Sequence, residues 1–250
     1  MLPINKIYNM DCLEGMKLIA DKSIDMILCD LPYGTTACKW DTVIPFKPLW
    51  EQYERIIKDN GVIALFGSQP FMSELIHSNI KLFRHEWIWN KDKSGNFMNC
   101  KFEPMKVHEI VAIFGKKKGT YNPQMEVREE KNKRKNKSRT NTSNIISTKE
   151  FYTQESNGNN DYKYPTSVKY FNSVRGGQHP AQKPIDLLEY LIKTYTNENE
   201  LVLDNCIGSG STAVACINTN RNYIGFELEK KYYDIATERI ENHKQQLTLF

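Results

Sequence analysis

The chain lacks any Cys-x-x-Cys pair. Its six cysteines (Cys12, Cys29, Cys38, Cys100, Cys206, Cys216) are scattered. That excludes the paired spacing of a zinc site and argues against a disulfide framework, so no metal is expected. Reduced thiols serving as small core residues fit better. No apolar run approaches the roughly 18 residues that span a bilayer, and a charged-then-apolar leader pattern is missing. The expectation is a soluble cytoplasmic protein with no membrane partner. Neither sign of charge dominates, with 34 Lys and Arg against 30 Asp and Glu. The formal net charge is +4, too mild to name a partner by itself. The hydrophobic fraction of 40% is slightly low, largely because a polar stretch occupies the middle of the chain. With 250 residues, one large domain or one domain with an insertion is expected.

What is present alternates. Residues 4–10 read as a strand ending at Asp11, followed by a helix with Leu13, Met16 and Ile19 on one face. Residues 25–30 form an apolar run, again a strand. Pro45 and Pro48 are expected to exclude regular structure from the loop 34–48. A helix over 49–58 places Trp50, Tyr53, Ile56 and Ile57 together and ends at Asn60-Gly61. Val62–Phe66 is continuously apolar, as for a strand buried on both faces. A helix opens at Pro70. Residues 82–89 and 107–114 read as two strands with no helix between them, an antiparallel pair at a sheet edge. After His179 a helix opens at Pro184 with Leu188, Leu191, Ile192 and Tyr195 on its apolar face. Strand 201–205, a glycine turn, a small-residue helix, strand 223–227 and a last helix burying Tyr232, Ile235, Ala236 and Ile240 complete the chain. Strands alternate with helices at both ends, so the class is α/β with a mainly parallel sheet.

Residues 1–115 and 179–250 thus read as one catalytic domain, and 116–178 as an inserted recognition region. Within it, 126–150 holds Lys131, Arg134, Arg139 and further cations with few apolar residues, and is expected to be mobile. It reads equally as a solvated linker or as a basic arm near phosphate.

Two stretches carry chemistry. Gly208-Ser209-Gly210-Ser211-Thr212-Ala213 fits G-x-G-x-x-A between a strand and a helix, and Glu227 closes the following strand. Glycines there admit a ligand close to the backbone, and the acid sits where it could accept ribose hydroxyls. A ribose-bearing cofactor follows, either a nicotinamide dinucleotide or S-adenosylmethionine. The second stretch is Asp30-Leu31-Pro32-Tyr33 at a strand end. By itself it reads as a capped turn. A nicotinamide enzyme has no evident use for it; an enzyme that methylates an amine does. The lone pair of an aromatic amine is delocalised into its ring. Hydrogen bonds from that amine to the Asp30 carboxylate and the Leu31 carbonyl would favour a tetrahedral nitrogen aimed at a methyl sulfonium. Pro32 fixes the backbone, and Tyr33 can stack on a planar base.

Asp30-Leu31-Pro32-Tyr33 resembles the D-P-P-Y motif of amino-group DNA methyltransferases. Leu203-Asp204-Asn205-Cys206-Ile207-Gly208-Ser209-Gly210-Ser211-Thr212 resembles their cofactor motif, L-D-P-F-x-G-S-G-T-T, and His179-Pro180-Ala181-Gln182-Lys183-Pro184 their H-P-T-Q-K-P element. Catalytic motif first, variable region second and cofactor motif last is the order of the beta class. The resemblance covers nearly the whole chain. It implies a circularly permuted, Rossmann-like methyltransferase fold with a mixed seven-stranded sheet and an antiparallel strand near one edge. It implies S-adenosylmethionine as cofactor and double-stranded DNA as substrate. Asp30, Leu31, Pro32 and Tyr33 are then the target-base site. The cofactor residues are Asp11, Asp30, Lys183, Asp204, Cys206, Gly208, Gly210, Ser211, Thr212 and Glu227. An Asp opening the tetrapeptide is typical of adenine-N6 enzymes and Ser of cytosine-N4 enzymes, so adenine is expected.

Two departures stand out. Leu31 replaces a proline, which some members do. Asn205-Cys206 replaces Pro-Phe and removes an aromatic near the methyl group. Base flipping is implied, since a paired base is unreachable. Lys39 and Trp40 read as loop packing or as groups near the flipped base, and Lys131, Arg134 and Arg139 as phosphate contacts. The alternatives are a cytosine-N4 enzyme, a protein-glutamine methyltransferase, whose motif order is the reverse, and a DNA-binding relative without activity. A paired restriction endonuclease and a monomer or homodimer complete the expectations.

Overall fold

Both faces of the central strands are apolar. β1 (Lys6–Asn9) buries only Ile7, whereas in β2 (Ile24–Asp30) and in the Val62–Gly67 part of β3 (Ile57–Gly67) successive side chains go to opposite faces and both sets are buried. Met26 and Leu28 join Val62, Ala64 and Phe66 in one core cluster, while Ile27 and Cys29 join Ile63 and Leu65 in the other. The first cluster is closed by α4 (Ile185–Tyr195), α5 (Ser211–Asn218) and α6 (Lys230–Leu247). The second is closed by α1 (Cys12–Lys17), α2 (Phe46–Ile56) and α3 (Phe71–Ser78). The result is a helix–sheet–helix sandwich, seen in a computed structural model that describes residues 2–34, 41–129, 161–176 and 182–247.

The remaining strands are β4 (Phe83–Gly95), β5 (Lys106–Phe114), β6 (Glu126–Val127), β7 (Tyr162–Lys163), β8 (Val168–Tyr170), β9 (Leu201–Asp204) and β10 (Asn222–Glu227). The main sheet runs in the order β1-β10-β9-β2-β3-β5-β4-β8. Only β5 runs against the rest, pairing antiparallel with both β3 and β4. The winding reverses between β9 and β2, so their outgoing loops diverge and leave a crevice at the carboxyl edge.

Three expectations are corrected. The sheet has eight strands among the described residues, not seven. The additional one is β8, parallel to β4 with Ile88 opposite Val168 and Asn90 opposite Tyr170. It is the true edge in place of the β4–β5 pair, and three residues are too few to show alternation. Pro48 does not exclude α2; it lies in the first turn, where its missing N–H has no acceptor to lose. Asn60-Gly61 does not end a helix. α2 stops at Ile56, and the pair lies where the β2–β3 register shifts between Ile24 and Met26. A Cβ on Gly61 would fall 2.8 Å from the Ile57 side chain, so this crowded irregularity admits only glycine. Residues 1–122 and 167–250 form one compact unit and 123–166 a second. In the second, β6 and β7 pair antiparallel, with Glu126 opposite Lys163. Most of 126–150 lies outside the described residues.

At α6 the expected face is graded. Ala236 and Ile240 are buried, and Tyr232 and Ile235 half-buried. No helix among the described residues is long and apolar enough to cross a membrane.

Candidate active site at the carboxyl edge

Asp30 is the last residue of β2, where the apolar run meets the crevice. Past it the chain turns sharply, and Asp41 holds the turn. Asp41 is buried, and its Oδ1 accepts the Tyr33 N–H at 2.7 Å and the Gly34 N–H at 2.9 Å. Gly34 sits at φ 68°, a conformation that glycine adopts without strain. Leu31 is buried in the α1–α3 core, and the Tyr33 ring packs on Phe71 at 5.0 Å between centroids. The tetrapeptide is thus anchored by its apolar members and its amides, which leaves the carboxylate facing the crevice.

Both Asp30 oxygens are engaged. Oδ1 accepts the Tyr33 hydroxyl at 2.5 Å, and Oδ2 accepts Lys183 Nζ at 2.5 Å. Lys183 is buried just ahead of α4, and its ammonium also faces Glu109 Oε2 at 3.3 Å and the Phe66 ring at 5.2 Å. Glu109 in turn takes Lys91 Nζ at 2.8 Å. Two cations and two carboxylates therefore form one neutral, largely dry network. Burial pushes the Asp30 carboxyl above the ordinary carboxylate range, against the pull of Lys183. Burial also works against charge on Lys183, but Asp30 and Glu109 together hold its pKa above the ordinary lysine value. Glu109 is held low, because Lys183 and Lys91 outweigh its burial.

Asp204 ends β9 and is also buried. Oδ2 accepts the Thr212 hydroxyl at 2.6 Å and Oδ1 the Cys206 N–H at 3.1 Å, which ties the turn to the first residues of α5. Burial raises its pKa to about 6. Glu227 ends β10. Its carboxylate accepts the N–H groups of Gly208 and Glu229, each at 2.9 Å, and burial raises its pKa too. Gly208 and Gly210 have φ of 54° and 78°. Asp11 caps α1, accepting the N–H groups of Leu13 and Glu14.

These groups line a single cavity of about 620 Å³, within the range of small-molecule sites. Asp11, Asp30, Leu31, Pro32, Tyr33, Lys183, Asp204, Cys206, Gly208, Ser211, Thr212 and Glu227 all reach its wall. Gly210 does not. It begins α5, and a Cβ there would meet Ala236 at 3.2 Å, so its role is helix packing. Cys206 occupies the wall where the motif carries an aromatic, and burial helps keep its thiol protonated. Lys39, Trp40, Lys131, Arg134, Arg139 and His179 lie outside the described residues. Sequence reasoning missed Asp41, Glu109 and Lys91. Glu109 did leave a trace, as a lone acid in the apolar run 107–114.

The family model for DNA methylases of the N6/N4 class matches residues 24–238. The chain belongs to the N6/N4 DNA methylase family. Among its relatives, the type II methyltransferase M.HpaI of Haemophilus parainfluenzae is 27% identical over 93% of this chain and 73% of its own length. Among solved structures, an M1.HpyAVI–SAM complex superposes with a TM-score of 0.63 at 25% identity, covering 94% of this chain and 98% of that one. The PvuII cytosine-N4-specific DNA methyltransferase reaches 0.65 over 96% and 91%; at 15% identity that is a likeness of fold. The methylase family therefore supplies the fold and the DNA-methyltransferase activity, and leaves the choice of amine to the residues of the site.

Proposed function

We propose that this DNA methyltransferase transfers a methyl group to the N6 amine of adenine in double-stranded DNA, with the base rotated out of the duplex. The observation that carries the reading is the Asp30 carboxylate, fixed by Lys183 and Tyr33 on the wall of a cavity that Glu227 also lines.

S-adenosylmethionine is the family's cofactor and supplies an electrophilic methyl group. The donor set fits it. Glu227 and Asp11 offer carboxylate oxygens for the ribose and adenine parts, and Asp204, Cys206, Gly208, Ser211 and Thr212 line the remainder. The chain's own residues then handle the base. Tyr33, backed by Phe71, offers a ring for stacking. As the amine enters, Tyr33 yields Oδ1 of Asp30, which accepts one amine hydrogen while the Leu31 carbonyl accepts the other. Nitrogen becomes tetrahedral with its lone pair free. The proton released on methylation passes to the Asp30 carboxylate, whose burial-raised pKa suits it to accept one. Lys183 balances the charge meanwhile and keeps Asp30 ionised beforehand. Lys39 and Trp40 lie next in sequence after the catalytic loop and are assigned to the flipped base. Lys131, Arg134 and Arg139 are assigned to phosphate, as part of a recognition region. A restriction endonuclease of matching specificity is the expected companion.

The test is a methyl-transfer assay on genomic DNA followed by digestion to nucleosides. N6-methyladenine is expected, and Asp30→Ala should abolish transfer while cofactor binding persists. N4-methylcytosine as the sole product overturns the adenine assignment. Normal turnover in Asp30→Ala overturns the mechanism.

A further inference from the structure

Strand β4 runs in the same direction as β2, so the β4–β5 hairpin leaves the sheet at the same edge as Asp30. Asp30 is level with Phe66, Phe66 with Val111 and Val111 with Trp87. From Val111 back to Lys106 the hairpin continues beyond that level for about 17 Å at the rise of an antiparallel strand. Its lower part, Trp89 and Lys91, is cavity wall. Its tip carries the three most exposed large apolar side chains among the described residues. Phe97 is 75% exposed, Met98 93% and Phe102 89%. The turn that presents them is ordered by Glu103, which accepts the side-chain amides of Asn96 and Asn99 at 2.5 and 3.0 Å. Lys93 and Lys101 are exposed around it, with Lys106 at its base. Three large apolar side chains held out in water on a structured turn are an unmet contact. The lysines around them match an anionic partner, and the hairpin's origin in the cavity wall sets them beside the mouth through which a base must enter.

We propose that this tip is a DNA wedge, in which Phe97, Met98 and Phe102 enter the base stack of bound duplex next to the target and stabilise the gap left by the flipped base. The proposal rests on the reading of this chain as a methyltransferase of flipped bases. Phe and Met are among the side chains that part base steps, and the lysines would take the adjoining phosphates. The wedge acts on the duplex alone. It offers nothing to cofactor, nor to a base that is already unpaired.

That asymmetry gives the experiment. The methylated site is first read by modification-sensitive sequencing of DNA from cells expressing the wild type. Two synthetic duplexes carrying that site follow, one fully paired and one with the target base opposite an abasic position. For the triple variant Phe97→Ser, Met98→Ser, Phe102→Ser, kcat/KM on the paired duplex is expected to fall about tenfold or more, from stacking worth about 1–3 kcal/mol per base. On the abasic duplex it stays within about twofold of wild type, since the flip no longer needs help. Cofactor affinity and the unfolding midpoint should be unchanged. Equal loss on both duplexes, or no loss on either, overturns the wedge and leaves the methyltransferase reading intact. So does a wild-type dimer that the variant turns to monomer, because the tip then covers a second copy. A wild type that methylates no DNA removes the underlying reading, and the wedge with it.

Discussion

Asp30 shows how one carboxylate is prepared by its neighbours. Burial raises its pKa and so works against the ionised form that the proposed mechanism uses. Lys183, 2.5 Å away, opposes that, and Glu109 keeps Lys183 itself charged. The sign of the pH dependence follows. In the proposed mechanism Asp30 acts ionised, so activity falls as pH drops through a pKa lying above the ordinary value of about 3.9. Lys183→Met removes the group that lowers that pKa, so the acid limb of the kcat profile moves to higher pH. The variant should lose roughly 10- to 100-fold at pH 7 through a lost charged hydrogen bond, more at pH 6 than at pH 8. Rates measured across pH, with cofactor affinity as control, check this; a parallel loss at every pH would assign Lys183 to packing alone. Asp30 and Lys183 were legible in the sequence because each sits in a motif with a recognisable spacing. Asp41, Glu109 and Lys91 were not. Their roles depend on Asp41 meeting the amides of Tyr33 and Gly34, and on β5 pairing with β3 and β4 with β5, which are contacts between residues apart in sequence.

Among the elements, the strand–turn–helix from Leu201 to Asn218 was the most readable. Its apolar strand, paired glycines and small-residue helix appear in order, and each has a local physical cause. Even so, the two glycines do different work. Gly208 lies on the cavity wall with its N–H on Glu227, whereas Gly210 starts α5 against Ala236. Gly210→Ala is therefore expected to cost about 1–2 kcal/mol through its left-handed φ of 78°, with a further penalty from Ala236 at 3.2 Å. Urea unfolding should register that loss, and cofactor affinity should weaken as the start of α5 loosens. Unchanged stability and affinity would mean that the turn relaxes freely. Elements whose identity depends on a partner strand were the ones misread. Asn60-Gly61 looked like a helix stop because the register shift that accommodates it belongs to the β2–β3 pair. β8 is a strand only because β4 offers it an edge.

For the whole molecule, charge distribution matters more than its net value of +4. Lys131, Lys133, Arg134, Lys135, Lys137 and Arg139 concentrate cations in one stretch of the proposed recognition region. If they meet phosphate, changing all six to alanine lowers the slope of log affinity for duplex DNA against log salt by up to about 5, at roughly 0.9 per contact. Cofactor affinity stays the same. An unchanged slope in fluorescence-anisotropy titrations would mark the run as a solvated linker. The α/β class, the order of its two motifs and the candidate acids were determined by the sequence alone, because periodicity, turn chemistry and motif spacing are local properties. Tertiary structure decided what those acids face. It closed the Lys91–Glu109–Lys183–Asp30 network across three strands and a helix start, added an eighth strand, and carried an apolar hairpin tip out past the carboxyl edge of the sheet. Asp30-Leu31-Pro32-Tyr33 names a chemistry in one dimension. Its electrostatic surroundings are set by residues that only the folded sheet brings within reach.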